Sequence, residues 1–236
     1  MVILKAEGVH KNFFTDGNTV KVLNDVNIEI EEGKFLSIMG QSGSGKSTLL
    51  YLLSALEKPS KGIITYEGTE LSAMNDSQMS KVRRREFGFV FQFFNLLPTL
   101  SVEENITLPL ELEGQKIKDY KDKLADILSK VGLSEKRSQY PYQLSGGQQQ
   151  RVAVARALIT NPKIIFADEP TGNLDSRTGK EILYLLKTFN ERFGKTIVMV
   201  THDVDAALYG DQVIHIKDGM IVGKDDIYLS RKGSLL

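Results

Sequence analysis

The sequence predicts an α/β fold in which a parallel sheet is preceded by an antiparallel β region and interrupted by a helical subdomain. One observation is a glycine-rich loop at 40–47, which joins a short apolar run to an apolar helix. A second is the alternation of short apolar runs with helical segments from residue 163 onward, which is typical of a parallel sheet buried on both faces. A third is the helical texture of residues 93–159, which predicts a subdomain inserted in the core.

The composition is that of an ordinary globular protein and excludes several classes. A chain of 236 residues, 41% apolar and 25% charged, is long enough for one large α/β domain or two small ones. Lys+Arg and Asp+Glu both number 30, so the zero net charge gives no sign of a nucleic-acid partner. The absence of cysteine excludes disulfides, thiolate catalysis and Cys-based metal sites.

Nothing in the sequence has the form of a membrane span or a secretory signal. No window approaches the roughly 18 uninterrupted apolar residues of a transmembrane helix. The N-terminal stretch MVILKAEGVHKNFF has a short apolar run and no small-residue cleavage site, so a signal peptide is not expected. Any work at a membrane is therefore expected to go through a partner.

Residues 1–34 are predicted to form antiparallel β structure. The cluster Asp16-Gly17-Asn18 predicts a turn ahead of an alternating strand at 20–30. Four apolar residues of that strand are expected on one face: Val22, Val26, Ile28 and Ile30. His10 is expected to end the first strand and His215 to lie in a late strand at 213–216, each in a structural role.

The later helices and strands are predicted from apolar runs and from the turn and cap residues that bound them. Pro59-Ser60-Lys61-Gly62 ends the first helix, and Ser101 with Glu104 forms a capping-box pattern that predicts a helix start. Strands are predicted at 35–39, 63–66, 87–91, 164–167, 196–200 and 213–216. Helices are predicted at 48–56, 76–85, 119–131 and 176–193.

The loop at 40–47, GQSGSGKS, matches the phosphate-loop pattern G-x-x-x-x-G-K-[ST], also called Walker A. Its glycines let backbone N–H groups turn inward around an anion, Lys46 reaches the outer phosphates, and the Ser47 hydroxyl can ligate Mg²⁺. The next helix points its N-terminus at the phosphates. The nucleotide-binding residues predicted here are Gly40, Gln41, Ser42, Gly43, Ser44, Gly45, Lys46, Ser47 and Thr48.

Two further motifs indicate the family. Leu144-Ser145-Gly146-Gly147-Gln148 opens a helix, and an N-cap at Ser145 would by itself explain Ser-Gly-Gly. However, LSGGQ resembles the signature of the ATP-binding-cassette (ABC) ATPases. The run IIFADE at 164–169 has the form of a Walker B strand, with Asp168 placed to bind Mg²⁺ and Glu169 to polarise the attacking water.

The order of the remaining motifs extends this resemblance over essentially the whole chain. Gln92 lies where the family has its Q-loop glutamine, Asn173-Leu174-Asp175 resembles the D-loop, and His202 resembles the switch histidine. A lone Gln or His after a strand is usually polar surface, and it is the order of these motifs along the chain that indicates the family. Phe13 takes the place of the adenine-stacking residue, where the family usually has tyrosine, and it keeps the stacking face.

The resemblance implies roles for individual residues. The implied catalytic residues are Glu169, His202 and Gln92, and the implied metal ligands are Ser47, Gln92 and Asp168. Besides the phosphate loop, the implied nucleotide contacts are Phe13, Ser145, Gly146, Gly147, Gln148 and Asp175.

It also implies the fold, the activity and the assembly. The fold would be a single nucleotide-binding domain over residues 1–236, a P-loop NTPase (RecA-like) core with the helical subdomain inserted. The protein would be an ATPase that uses ATP and Mg²⁺ as a homodimer, with two copies head to tail around two ATP. It would drive an integral membrane permease subunit and lie in the cytoplasm, peripheral on the inner face of the cell membrane.

One branch of the family is indicated by residues 91–106, together with 82–85 and 140–143. These segments resemble the ATPases of the macrolide-export, lipoprotein-release, peptide-antibiotic-resistance and cell-division types. The apolar segment 91–106 either packs the helical subdomain or forms a groove for a short helix of the membrane subunit. The basic run at 81–85 is expected to be a solvated face, the alternative being contact with anionic head groups or the membrane partner.

Two other functions are compatible with a cassette. One is a soluble ABC ATPase of DNA repair or translation, but repair types insert long coiled coils, and only 98 residues lie between Lys46 and Ser145. Translation types carry two cassettes, whereas this chain has one LSGGQ. The other is a catalytically silent module that uses ATP only to dimerise, against which the intact Glu169 and His202 argue.

Overall fold

The computed structural model describes residues 1–15 and 17–227, which form ten strands and seven α-helices. The strands are β1 (Val2–Thr15), β2 (Asn18–Glu31), β3 (Phe35–Met39), β4 (Lys61–Tyr66), β5 (Thr69–Glu70), β6 (Phe87–Phe91), β7 (Ile164–Asp168), β8 (Thr196–Thr201), β9 (Gln212–Lys217) and β10 (Met220–Asp226). The α-helices are α1 (Lys46–Leu53), α2 (Asp76–Glu86), α3 (Val102–Leu112), α4 (Ile117–Val131), α5 (Gly146–Leu158), α6 (Ser176–Phe193) and α7 (Val204–Ala207). Short 3-10 turns lie at Ser134–Lys136 and Pro141–Gln143.

The strands form two sheets, as the α/β prediction requires. The N-terminal sheet is antiparallel, in the order β2-β1-β4-β5. The larger sheet has the order β10-β9-β3-β8-β7-β6, and its strands run parallel except for β10 at one edge. The loops after β3, β6, β7 and β8 therefore leave the sheet at the same edge.

Two apolar cores lie on the two faces of the larger sheet. Successive residues of β7 alternate between them, because Ile164 and Phe166 face the N-terminal sheet and α1, whereas Ile165 and Ala167 face the helices. Helix α1 is buried between the two sheets. Its buried leucines are Leu49, Leu50, Leu52 and Leu53. Helices α3, α4, α5 and α6 cover the opposite face.

The N-terminal hairpin differs from the prediction in two ways. The alternation of β2 is confirmed from Val26 to Ile30, but Val22 is only partly buried and Leu23 takes the buried position. A register shift in the pairing with β1 causes this offset, and Asp25 within it has φ 51°. The expectation that His10 ends the first strand is wrong, since β1 continues pairing with β2 beyond the bulge. The predicted turn falls partly outside the described residues, because Asp16 is not described.

The basic run of α2 is not simply a solvated face. Arg84 and Arg85 donate to the two carboxylate oxygens of Glu113, at 2.5 and 2.7 Å, and these contacts hold the pKa of Glu113 below its usual range. Arg83 donates to the carbonyl oxygen of Ala55 at 2.6 Å. The chain after α3 brings the Glu113 carboxylate to this run, and no local pattern in the sequence indicates that approach.

The segment between β6 and β7 is helical, as predicted. Ser101 and Glu104 form the predicted capping box at the start of α3. Asn105, fully buried, accepts from the Leu97 backbone and donates to three carbonyl oxygens, which fixes the loop before the helix. Over the described residues, every helix is too short or too polar to cross a bilayer.

The close packing of α5 on β6 predicts that Gly88→Ala destabilises the fold. A Cβ atom at this position would lie 2.4 Å from the carbonyl oxygen of Ala157, and neither backbone can move aside like a side chain. We expect the free energy of unfolding to fall by about 2 kcal/mol, measured by urea denaturation.

Gly223→Ala is the matched control, because this glycine also lies in a strand and its nearest new contact would be a side-chain atom of His215 at 3.6 Å. We expect this control to stay within about 0.5 kcal/mol of the parent. An unfolding curve for Gly88→Ala that matches the parent would contradict the close packing.

Candidate functional site

A cavity of about 800 Å³ opens where the parallel strands end. The loop between β3 and α1 forms one wall, and Glu169 and His202 form another. Residues 215–218, from the end of β9 and the turn after it, and Val222 of β10 complete the lining. Ligands of open α/β sheets bind at this kind of edge, so this cavity is the candidate site.

The phosphate loop is shaped to surround an anion. Gly43 and Gly45 have φ of 79° and 100°, a region that glycine adopts without steric cost. Lys46 is only 5% exposed, and its amino group donates to the carbonyl oxygen of Gln41 at 2.9 Å. The buried Ser44 hydroxyl has no hydrogen-bond partner among the described residues. A buried cation and an unsatisfied hydroxyl in a turned loop fit a phosphate group.

Asp168, at the end of β7, accepts hydrogen bonds from two hydroxyl groups of α1. The Ser47 hydroxyl donates to Oδ1 at 2.9 Å, and the Tyr51 hydroxyl donates to Oδ2 at 2.6 Å. Burial, together with the hydrogen bond to Asp168, raises the pKa of Tyr51 to about 12, so the phenol keeps its proton at neutral pH. No motif in the sequence indicates Tyr51. The available signal was its position four residues after Ser47, on the same face of the helix.

Glu169 and His202 are in direct contact. Glu169 Oε2 lies 3.0 Å from His202 Nδ1, and the Glu169 side chain is largely buried while that of His202 is exposed. Glu169 has φ 42°, an unusual conformation for a residue other than glycine. Its backbone N–H donates to the Val200 carbonyl, and its own carbonyl accepts from Gly172, each at 3.0 Å. These bonds hold the turn that directs its carboxylate toward His202.

Gln92 contacts the loop that follows β7. Its amide donates to Asn173 Oδ1 at 3.2 Å, and Asn173 donates back to the Gln92 carbonyl oxygen at 3.1 Å. Asp175 caps α6, accepting from the backbone of Arg177 and Thr178, and the bonds to Thr178 are the main reason that the pKa of Asp175 is lowered. These two predicted site residues are thus engaged with protein groups.

The signature residues lie at the start of α5. Ser145 accepts from the Gln148 backbone at 3.3 Å, and Gln148 Oε1 accepts from the Ser145 N–H at 3.0 Å, so the predicted N-cap is confirmed. Gly147 faces Thr178 so closely that a Cβ would lie 2.2 Å from its methyl group. Within the described chain, residues 145–148 are not part of the lining of the phosphate-loop cavity.

Phe13 is also placed apart from that lining. It lies on β1 opposite Val20 with 39% of its surface exposed, and the Lys11 amino group is 4.9 Å from the centre of its ring. His215 was expected to be structural, and it pairs with Asp225 at 2.8 Å, yet it also lines the cavity. The structure thus brings together the phosphate loop, Asp168, Glu169 and His202, and leaves Phe13 and the signature outside.

Comparisons with known proteins agree with this geometry. Residues 23–172 match the family described as ABC transporter. A bacitracin export ATP-binding protein of Halalkalibacterium halodurans is 47% identical over 221 residues, which cover 94% of this chain and 87% of that protein. A macrolide export ATP-binding/permease protein of a Shewanella species is 43% identical, over 94% of this chain and 34% of that protein.

A solved structure has the same fold. It is a dimeric ATP-binding cassette of Methanocaldococcus jannaschii in a post-hydrolysis state, bound to ADP and phosphate. It matches with a TM-score of 0.88 and 42% identity, over 95% of this chain and 99% of that chain. The chain therefore belongs to the ABC transporter family, and it is an ATP-binding cassette that hydrolyses ATP.

Proposed function

We propose that this cassette acts as a head-to-tail homodimer around two ATP and drives an integral membrane permease subunit. The observation that carries the proposal is the convergence of the phosphate loop, Asp168, Glu169 and His202 at one edge of the parallel sheet. The proposed location is cytoplasmic, peripheral on the inner face of the cell membrane through the permease. Residues 93–159 are proposed to act as a helical subdomain of a single domain over 1–236.

ATP is held by the phosphate loop in this proposal. Lys46 exchanges its contact with the Gln41 carbonyl for the outer phosphates, and the Ser44 hydroxyl gains the partner that it lacks. Thr48 and the backbone of Gly40–Ser47 complete the cradle. Phe13 is the proposed stacking residue for adenine, and one face of its ring already carries the Lys11 amino group.

Ser47 and Asp168 are the proposed ligands of Mg²⁺, with Gln92 as a third. Their hydroxyl and carboxylate oxygens, 2.9 Å apart, are the donors that this cation prefers. The described residues contain no group of three or more His, Cys, Asp or Glu side chains that could hold a metal, which suits an ion that takes one or two carboxylates plus phosphate oxygens. The bound ion would neutralise charge on the phosphates. Gln92 must release Asn173 to take part.

Glu169 is proposed to orient the attacking water and accept its proton. The water oxygen forms a bond to the γ-phosphorus as the bond to the bridging oxygen breaks, which leaves ADP and phosphate. His202, within 3.0 Å of Glu169, is placed to donate a hydrogen bond to the γ-phosphate. Such proton transfer by a positioned carboxylate accounts for a rate factor of about 10²–10⁴.

The proposed second copy supplies the signature, because residues 145–148 do not line the cavity beside their own phosphate loop. The start of α5 presents free backbone N–H groups and the positive end of a helix dipole, which suit the phosphates of ATP held by the partner. Ser145, Gly146, Gly147 and Gln148 are the proposed contacts, and Asp175 is proposed to act at the same interface. The dimeric relative with bound ADP and phosphate supports the pairing of two copies.

A groove of about 360 Å³ is the proposed docking site for the permease. Its lining is mainly apolar and includes Leu56, Phe89, Phe91, Leu108 and Leu112. The segment 91–106 supports both interpretations, packing of the helical subdomain and contact with the membrane subunit. Leu96 packs against the core, whereas Phe93 is 72% exposed. The similarity to a bacitracin export and a macrolide export protein supports the proposed branch, and it gives no support to an ATPase of DNA repair or translation.

The proposed role of Glu169 predicts that Glu169→Gln binds ATP but hydrolyses it about 10²–10⁴-fold more slowly. Slow hydrolysis should trap the ATP-bound dimer, which size-exclusion chromatography with light scattering detects in Mg-ATP. Glu135→Gln, at an exposed carboxylate in the first 3-10 turn, is the matched control and should keep the parent rate. A strictly monomeric Glu169→Gln protein in Mg-ATP would argue against the role.

The proposed docking groove predicts the outcome of capture from detergent-solubilised membranes. Tagged Glu169→Gln protein in Mg-ATP should retain an integral membrane subunit with a large extracytoplasmic domain, identified by mass spectrometry. Adding Leu112→Asp in the groove should release that subunit while the dimer persists. Adding Tyr184→Asp instead, at an exposed residue of α6, should not. Recovery with ribosomes or nucleic acid, and no membrane protein, would favour the soluble alternative.

A further inference from the structure

Tyr51 contacts the proposed metal site without being one of the proposed ligands. We infer that its hydroxyl positions Asp168 for magnesium, by holding one carboxylate oxygen so that the other faces Ser47 and the cation. This inference rests on the proposed function of Ser47 and Asp168 as metal ligands. It makes Tyr51 a positioning residue of this chain, not a catalytic one.

The two oxygens of Asp168 have different partners, which is the basis of the inference. Tyr51 donates to Oδ2 at 2.6 Å and Ser47 donates to Oδ1 at 2.9 Å. Asp168 is only 9% exposed, so little water is available to replace either bond. If Ser47 and Oδ1 of Asp168 held the cation, the Tyr51 bond on Oδ2 would remain to fix the carboxylate plane.

The tyrosine ring is itself held in place. It packs against the buried core between the two sheets. The backbone carbonyl oxygen of Tyr51, in the last turn of α1, accepts from the backbones of Leu56 and Glu57 at 2.9 and 3.1 Å. It also accepts from the Ser54 hydroxyl at 3.3 Å. A side chain fixed by packing at the ring and by hydrogen bonds at the backbone delivers its hydroxyl to one position.

The opposite side of the contact is equally fixed. Asp168 ends β7, where it lies level with Phe91 of β6 and Val200 of β8. Its carboxylate can therefore rotate about the side-chain bonds but cannot shift with the backbone. The Tyr51 bond restricts that rotation, and partners that orient a metal ligand commonly change metal affinity about 10–100-fold when removed.

Tyr51→Phe tests the inference because it removes the hydroxyl and keeps the ring. The affinity for a fluorescent, non-hydrolysable ATP analogue is measured in EDTA and again along a MgCl₂ titration. We expect an unchanged affinity in EDTA and about a tenfold rise in the Mg²⁺ concentration for half-maximal enhancement of binding. An unchanged Mg²⁺ dependence would overturn the inference, and so would an equal loss of affinity with and without Mg²⁺.

Two further variants separate the positioning role from the site itself. Tyr66→Phe is the matched control, since the Tyr66 hydroxyl donates to Glu86 at 3.1 Å away from the cavity, and it should keep the parent Mg²⁺ dependence. Asp168→Asn should lose most of that dependence. If Asp168→Asn behaves like the parent, the proposed metal site fails. If Asp168→Asn loses the Mg²⁺ dependence of binding and Tyr51→Phe keeps it, the metal site is supported and the positioning role of Tyr51 is wrong. Thermal unfolding without nucleotide verifies that each variant is folded.

Discussion

The register of the parallel strands is the constraint on which the candidate site depends. Phe91, Asp168 and Val200 lie level across β6, β7 and β8. On the fourth strand, β3, Met39 pairs with Thr201 of β8. The phosphate loop, Gln92, Glu169 and His202 follow these ends directly, so one alignment places them at one edge. Because alternate residues face two different apolar cores, a slip by one residue would exchange the two faces. Burial of leucine and isoleucine thus fixes the geometry of the polar groups.

The same alignment connects the site to the signature helix. Gln150 of α5 is fully buried, and its amide donates to the carbonyl oxygens of Phe91 and Pro170, one residue before Gln92 and one after Glu169. Gly88 lets α5 approach β6 closely. The backbone next to Gln92 and next to Glu169 is therefore hydrogen-bonded to the helix that carries Ser145. In the proposed dimer, this connection would link the site of one copy to the signature that it presents to the other.

The sequence predicts the elements where local signals suffice. The bounds of β3, β6 and α6 agree with the prediction, because apolar runs there end at clear turn and cap residues. It also predicts the site residues by motif, although not their distances. What it misses depends on contacts between distant segments, such as the bulge opposite β1, the arginine pair on Glu113 and the Tyr51 hydroxyl on Asp168. Such pairings follow from how elements pack, and no local pattern carries them.

The proposed dimer requires that the signature of a second copy completes each ATP site. Ser145→Arg should bind ATP but not hydrolyse it, and Lys46→Ala should fail to bind. In an equimolar mixture, a mixed dimer joins the intact phosphate loop of the Ser145→Arg copy to the intact signature of the Lys46→Ala copy. We predict that phosphate release appears in the mixture and in neither variant alone. Steady hydrolysis by Ser145→Arg alone would show that one chain completes its own site, and would contradict the account.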